Sequence, residues 1–189
     1  MEGNLIGVFG SNLSVKSGLL NSIAKKSETE GIVVYQRNES GKKYSLLDDA
    51  TYPERIQGYS RIASIADSAM YVFPQEGKLS PADGELALLL DALNLEGIVE
   101  AVDISRTSVA EVVKSSFKGL KISSFPIEER ESKSSMIDLS KVGARKDYPR
   151  DHTLVYVDRA FNVKGVGLVP RFWPGRPTPK AFSGKNAEG

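Results

Sequence analysis

Gly10-Ser11-Asn12-Leu13-Ser14-Val15-Lys16-Ser17 is the stretch of this chain whose residue types and spacing could do chemistry. A phosphate-binding loop asks for Gly, four residues, Gly, Lys and then Ser or Thr, set between a strand and a helix. Backbone N–H groups and the positive end of the helix then face the phosphates. Gly10, Lys16 and Ser17 fit that spacing, and Ser14 lies inside the cradle. Lys16 would reach the terminal phosphates and Ser17 would hold Mg²⁺. Val15 stands where the second Gly belongs, and its branched side chain restricts a backbone that must approach a phosphate closely. Two readings stay open, a triphosphate site and a strand-to-helix turn that contains Lys-Ser.

Few other side chains invite chemistry. Asp48-Asp49 could be a metal or acid–base pair, but neighbours in a strand point to opposite faces, so a turn pair is expected. His152 is the sole histidine, which excludes multi-histidine metal sites, and it reads as a solvent or edge residue. Cysteine is absent, which removes disulfides, thiolate zinc sites and thiol nucleophiles. Tyr35, Tyr44, Tyr52 and Tyr59 could stack on bases, yet their strand and helix settings favour packing. Lys and Arg number 25 against 24 Asp and Glu, so no general attraction to nucleic acid or membrane is expected. No DNA or membrane partner is expected. The N-terminus lacks a signal-peptide pattern, and no apolar run approaches membrane-spanning length, so the expected home is the cytoplasm.

The elements that must position the loop alternate between strand and helix. Asn4–Phe9 reads as a buried strand, followed by a helix carrying Leu19, Leu20, Ile23 and Ala24, with Lys25 and Lys26 at its end. Gly31–Tyr35 and Tyr44–Leu47 read as strands about a polar turn at Asn38–Lys43. Pro53 to Ala66 reads as a helix, Ala69–Phe73 as a strand, 81–93 as a helix striped by Leu86, Leu89, Leu90 and Leu93, and Gly97–Val102 as a strand. Thr107–Phe117 is amphipathic, and Lys121–Ser123 is expected to close the series. The implied fold is α/β, a mostly parallel sheet with helices on both faces. Residues 126–150 read as a linker. After them Leu154–Asp158 and Val163–Val169 look like two strands of a different, all-β unit.

Three segments together carry a family resemblance. The loop at 10–17, the Asp48-Asp49-Ala50-Thr51-Tyr52-Pro53 segment leading through Tyr59, Ile62 and Asp67, and Val157-Asp158-Arg159-Ala160-Phe161-Asn162-Val163-Lys164-Gly165-Val166-Gly167 occur in the order and spacing of the translational GTPases. The chain resembles elongation factor Tu and the selenocysteine-specific elongation factor over about residues 4–169. The nearest likeness is to the degenerate, pyrrolysine-related elongation factor-like type of methanogenic archaea. The resemblance implies a degenerate GTPase-like domain over 1–128, a linker over 129–150, and the start of a second-domain β-barrel over 151–189.

Carried over by residue, the resemblance implies a binding set of Gly10, Ser14, Lys16, Ser17 and Asp48 for GTP or GDP, with Ser17 and Asp48 on Mg²⁺. Elsewhere the family pattern is broken. Thr51 stands where a Gly senses the γ-phosphate, and Tyr52 stands where a His orients the attacking water. Val102-Asp103-Ile104-Ser105 lacks the guanine-reading Asn-Lys-x-Asp. Little chain is left for a switch loop with a Mg²⁺-binding Thr. The expected function is therefore a translation-factor-like binding protein without hydrolysis, with the ribosome, tRNA or another translation factor as partner. An active or weakly active GTPase and a truncated, non-functional fragment are the alternatives. Pro170 is expected to interrupt the barrel strand after Val169, through a reading-frame change or truncation. A functional basic tail carrying Arg171, Arg176, Lys180 and Lys185 is the other reading.

Overall fold

In the computed structural model of the chain, the described residues are 3–29, 31–74, 77–102, 108–130, 137–142, 157–163 and 167–172. They fall into two compact units, one within Glu2–Lys146 and one within Asp147–Gly189.

The larger unit is built on β1 (Gly3–Phe9), whose Leu5, Ile6, Val8 and Phe9 are all buried. Apolar residues on both faces suit a strand covered by helices on either side. β1 lies parallel between β4 (Lys42–Asp49) and β5 (Ser68–Val72). Beyond β5 come β6 (Gly97–Val102) and β7 (Ile127–Arg130), both parallel. On the other side β3 (Ile32–Glu39) and β2 (Lys25–Thr29) add antiparallel strands, giving a seven-stranded sheet in the order β2-β3-β4-β1-β5-β6-β7. Helices α1 (Leu13–Ile23), α2 (Gln57–Ile65), α3 (Pro81–Ala92) and α4 (Val109–Ser116) follow β1, β4, β5 and β6. The mostly parallel α/β fold expected from the alternation is the fold observed. Because the chain leaves β1 toward β4 and returns to β5 on the other side, the carboxyl ends of β1, β4 and β5 meet at a switch point of the topology.

Several local expectations are corrected. α1 stops at Ile23, and Ala24 is extended (φ −151°, ψ 160°). Lys25 and Lys26 therefore do not cap a helix but begin β2, paired with Gln36 and Tyr35. Strand pairing outweighs the dipole benefit, which amounts to only about 0.3–1 kcal/mol at an exposed helix end. β3 and β4 join at Ser40-Gly41, with φ of 50° and 78°, a two-residue hairpin that extends both strands past the expected polar turn. α2 begins at Gln57, not Pro53, because Asp49 Oδ1 accepts from both the backbone N–H and the hydroxyl of Thr51 and holds residues 50–54 in turns. The Leu stripe of α3 is graded as expected of one face, with Leu86 and Leu90 buried, Leu89 and Leu93 half-buried, and Leu88, outside the stripe, exposed. Lys121–Ser124 is a turn of 3₁₀-helix, and the sheet closes instead on β7.

The stretch 126–150, expected as a linker, thus supplies an edge strand. It also supplies core: Ile137, Leu139 and Val142 pack in the cluster of Val33, Tyr35, Tyr44 and Leu46, and Arg37 donates to the Ile137 carbonyl at 3.1 Å. Spacing of those three apolar residues, hidden among charges, explains the docking. In the smaller unit β8 (Val157–Val163) and β9 (Gly167–Phe172) form an antiparallel pair. β9 runs through Pro170, which lies opposite Ala160, so Pro170 does not end the strand. A two-stranded sheet leaves one side of each strand unpaired, where a missing N–H breaks no ladder bond. His152, Leu154–Tyr156, Asp103–Ser105 and the basic tail beyond Phe172 lie outside the described residues.

Candidate functional site at the carboxyl ends of β1, β4 and β5

The loop after β1 is short. Helix α1 begins at Leu13, so Gly10, Ser11 and Asn12 alone separate strand from helix. Gly10 has φ +144°, and a Cβ there would stand 2.6 Å from the Val72 carbonyl oxygen, so no other residue fits without displacing β5. Asn12 caps α1 by accepting from Val15 N–H at 3.1 Å, and the Asn12 carbonyl accepts from Lys16 N–H at 3.1 Å. Val15 is therefore a first-turn helical residue, and its side chain lies in the core cluster. The Val that breaks the motif is there because its position is no longer in a loop.

Lys16 is 1% exposed and its ammonium lies 2.8 Å from Asp48 Oδ1, itself 2% exposed. The Tyr59 hydroxyl, carried on α2, donates to the same oxygen at 2.8 Å and also contacts the Lys16 ammonium. The Lys16 ammonium is 4.8 Å from the centroid of the Tyr59 ring, which packs against Phe9 and Tyr52, each with centroids 5.0 Å away. Tyr52 in turn donates to the Ala82 carbonyl at the start of α3, at 2.6 Å. Burial first, then the Asp48 charge, holds the Tyr59 hydroxyl well above the usual tyrosine range, so it is a donor at any physiological pH. Lys16 thus points into a satisfied, aromatic-walled pair. A lysine that must reach a ligand would need all of this opened.

The other end of the loop is held by Asp83 on α3, which is fully buried. Its carboxylate accepts from Ser11 N–H (3.2 Å), Ser11 Oγ (2.8 Å), Tyr71 hydroxyl (2.7 Å), Ser80 N–H (2.8 Å) and Ser80 Oγ (2.8 Å). Ser80 and Asp83 also form the capping box that starts α3. Burial, followed by the Asp83 charge, raises the Tyr71 hydroxyl well above its ordinary range.

Gly10, Lys16 and Asp48 come together at the strand ends, but Ser14 and Ser17 lie elsewhere. Ser14 is exposed and its hydroxyl donates to Asn12 Oδ1 at 2.8 Å. Ser17 Oγ donates to the Ser14 carbonyl of its own helix at 3.3 Å, and no hydrogen bond among the described residues joins it to Asp48. Asp48 and Asp49 are not a turn pair but the last two residues of β4. Both are buried at the end of β4, one on Lys16 and the other on Thr51. Tyr35, Tyr44, Tyr52 and Tyr59 are all buried packing residues.

This arrangement does not fit a bound triphosphate. The N–H groups of Ser11, Val15 and Lys16 are engaged internally, Lys16 and Asp48 hold each other, and Asp83 adds a further negative charge at the loop. Among the described residues, Ala24 alone separates α1 from β2. Asp83 and its donors were not singled out from sequence. Their local signal was Ser80-Pro81-Ala82-Asp83, a capping-box spelling whose second role emerges only when α3 packs beside the loop.

No protein-family model matches the sequence, and no curated protein is similar to it. Solved structures are similar in fold. Translation elongation factor SelB from Methanococcus maripaludis, in complex with the GTP analogue GppNHp, superposes with a TM-score of 0.60 at 20% identity, covering 69% of this chain and 30% of that one. The apo form of that factor gives a TM-score of 0.59 at 18% identity, covering 90% and 42%. A bacterial selenocysteine-specific elongation factor gives 0.68 at 14% identity, covering 90% and 34%. The chain thus spans between 30% and 42% of the length of these structures. Identities this low establish a shared α/β fold and leave function to the site.

Proposed function

We propose that this chain is a translation-factor-like binding protein that works without hydrolysing nucleotide. The carrying observation is the buried Lys16–Asp48 pair sealed by Tyr59, which commits the loop lysine to the interior. The fold likeness to elongation factors supports a partner in the translation machinery: the ribosome, a tRNA or another factor. On this reading the chain is a pseudo-GTPase akin to the degenerate archaeal pyrrolysine-related type, and it acts in the cytoplasm. Among the described residues no helix is long and apolar enough to cross a membrane.

The test is sedimentation of the purified chain with ribosomes in the absence of nucleotide. Association unchanged by GTP, with no phosphate release above the ribosome blank, is the expected result. A second reading, a weakly active GTP-binding elongation factor, rests on one observation: Lys16 and Asp48 still meet, 2.8 Å apart, where β1 and β4 end. Ribosome-stimulated phosphate release that Lys16→Ala abolishes would establish that reading and remove the first. The third reading, a non-functional fragment, is tested by unfolding of the purified chain: a cooperative transition would argue against it, and a non-cooperative one would support it.

A further inference from the structure

We propose that Asp83 is a built-in anion of the phosphate loop, occupying donors that an inorganic phosphate or polyphosphate would otherwise take and keeping such ligands out. The inference rests on the reading of the chain as non-hydrolysing and says how the site is closed. Asp83 is fully buried, yet every partner it has is neutral: two hydroxyls and two backbone N–H groups from Ser11 and Ser80, and the phenol of Tyr71. A buried carboxylate normally takes a cation or is neutralised. An anion held only by backbone N–H and hydroxyl donors at the meeting of two helix starts is instead the chemistry of a phosphate cradle.

The cradle is therefore made by Ser11 before α1 and Ser80 before α3, and the chain fills it with its own side chain. Charge then decides which ligands can enter. A phosphate oxygen arriving beside Ser11 would meet Asp83 at contact distance, and no Lys or Arg among the described contacts neutralises that carboxylate. Lys16, the cation of the loop itself, is spent on Asp48, and Lys78, which lines the cleft beside Ser11 and Ser80, makes no ion pair with Asp83 among the described residues. Asp83 is thus an autoinhibitory ligand: it preserves the loop's shape without nucleotide and repels the group the loop's shape suits.

The test uses the full chain titrated calorimetrically with inorganic tripolyphosphate and Mg²⁺. The wild-type chain is expected to give no saturable binding at millimolar ligand. Asp83→Ala, which removes the charge together with the side chain that fills the cradle, is expected to tighten tripolyphosphate binding by about tenfold or more, the effect of deleting one like charge at contact range. Wild-type binding as tight as that of D83A, or no gain in a folded D83A, overturns the proposal. If D83A does not fold, hydrogen exchange on the wild-type chain decides the matter. The Ser11 amide is expected to be protected in phosphate-free buffer and unchanged by tripolyphosphate, whereas free exchange of that amide overturns the proposal. Loss of ribosome association with Ser11 still protected would remove the functional reading alone. An unprotected Ser11 with association intact would remove this inference alone.

Discussion

Glu100 on β6 and Asp83 on α3 are both fully buried carboxylates, and they are held in opposite ways. Glu100 meets a guanidinium, that of Arg130 on the neighbouring strand, at 2.8 Å. Burial raises the Glu100 carboxyl and the Arg130 hydrogen bond lowers it, with burial the larger effect. Asp83 meets only neutral donors, at the tip of the loop. The first is an ion pair that ties an edge strand to the sheet. The second is an anion in a cradle. Asp48 stands between them, paired with a lysine like the first but placed at the loop like the second. Position along the strands separates structural pairs from what remains of a binding site: Glu100 faces β7, while Asp48 and Asp83 close the carboxyl ends of β1, β4 and β5.

The comparison can be broken most forcefully at Lys16. Lys16→Met leaves Asp48 buried with Tyr59 as its remaining side-chain donor, and an unpaired buried charge costs about 3–5 kcal/mol. Urea unfolding should show that loss, and Lys16→Met with Asp48→Leu should recover most of it, since an apolar replacement of a whole pair is near neutral. If the single variant is as stable as wild type, the pair is solvated and the site is open. Tyr59→Phe is a smaller cut. It removes one donor to Asp48, and the midpoint should fall by an amount equal to about 1.5–3 kcal/mol, the range for a hydrogen bond to a charged group.

At the Glu100 end a milder effect is expected, because Arg130 keeps part of its surface in water. Glu100→Gln should cost about 1–2 kcal/mol or less at neutral pH, since Arg130 can turn to solvent. The pH dependence gives the sign. Glu100 has a folded pKa raised above its ordinary 4.5, so its protonated form is favoured in the native state and its stabilising contribution is lost as pH rises from there through the raised value. The Gln variant should show a flatter stability profile across that interval. A profile identical to wild type would assign the slope to other groups.

Tyr59 and Tyr71 give the mirror test at alkaline pH. Their folded pKa values lie well above 10.0, so the stability linked to them is complete below that value and is lost as pH rises beyond it. Tyrosinate absorbance should therefore appear in step with unfolding for these two, not before it. Early ionisation would show that the rings reach solvent.

Much of the sheet was legible because its parallel strands are continuous apolar runs, such as Leu5–Phe9 and Ala69–Phe73, alternating with helical stripes. Boundaries failed where tertiary pairing overrode local preference, as at Lys25-Lys26 and Pro53. The docking of Ile137, Leu139 and Val142 was hidden by surrounding charge. Lys16 and Asp48 could be read as a pair of interest from motif spacing, but their burial could not, because Tyr59 arrives from another helix. Asp83 is the clearest case: five hydrogen bonds from three residues converge on it, and none but the capping box is local in sequence.

Calorimetric titration of the purified wild-type chain with GTP and GDP in the presence of Mg²⁺ is the most direct test of the closed site. A corner closed by Lys16–Asp48–Tyr59 on one side and by Asp83 on the other should give no saturable heat with either nucleotide. Micromolar binding that prefers guanine to adenine nucleotides would contradict it.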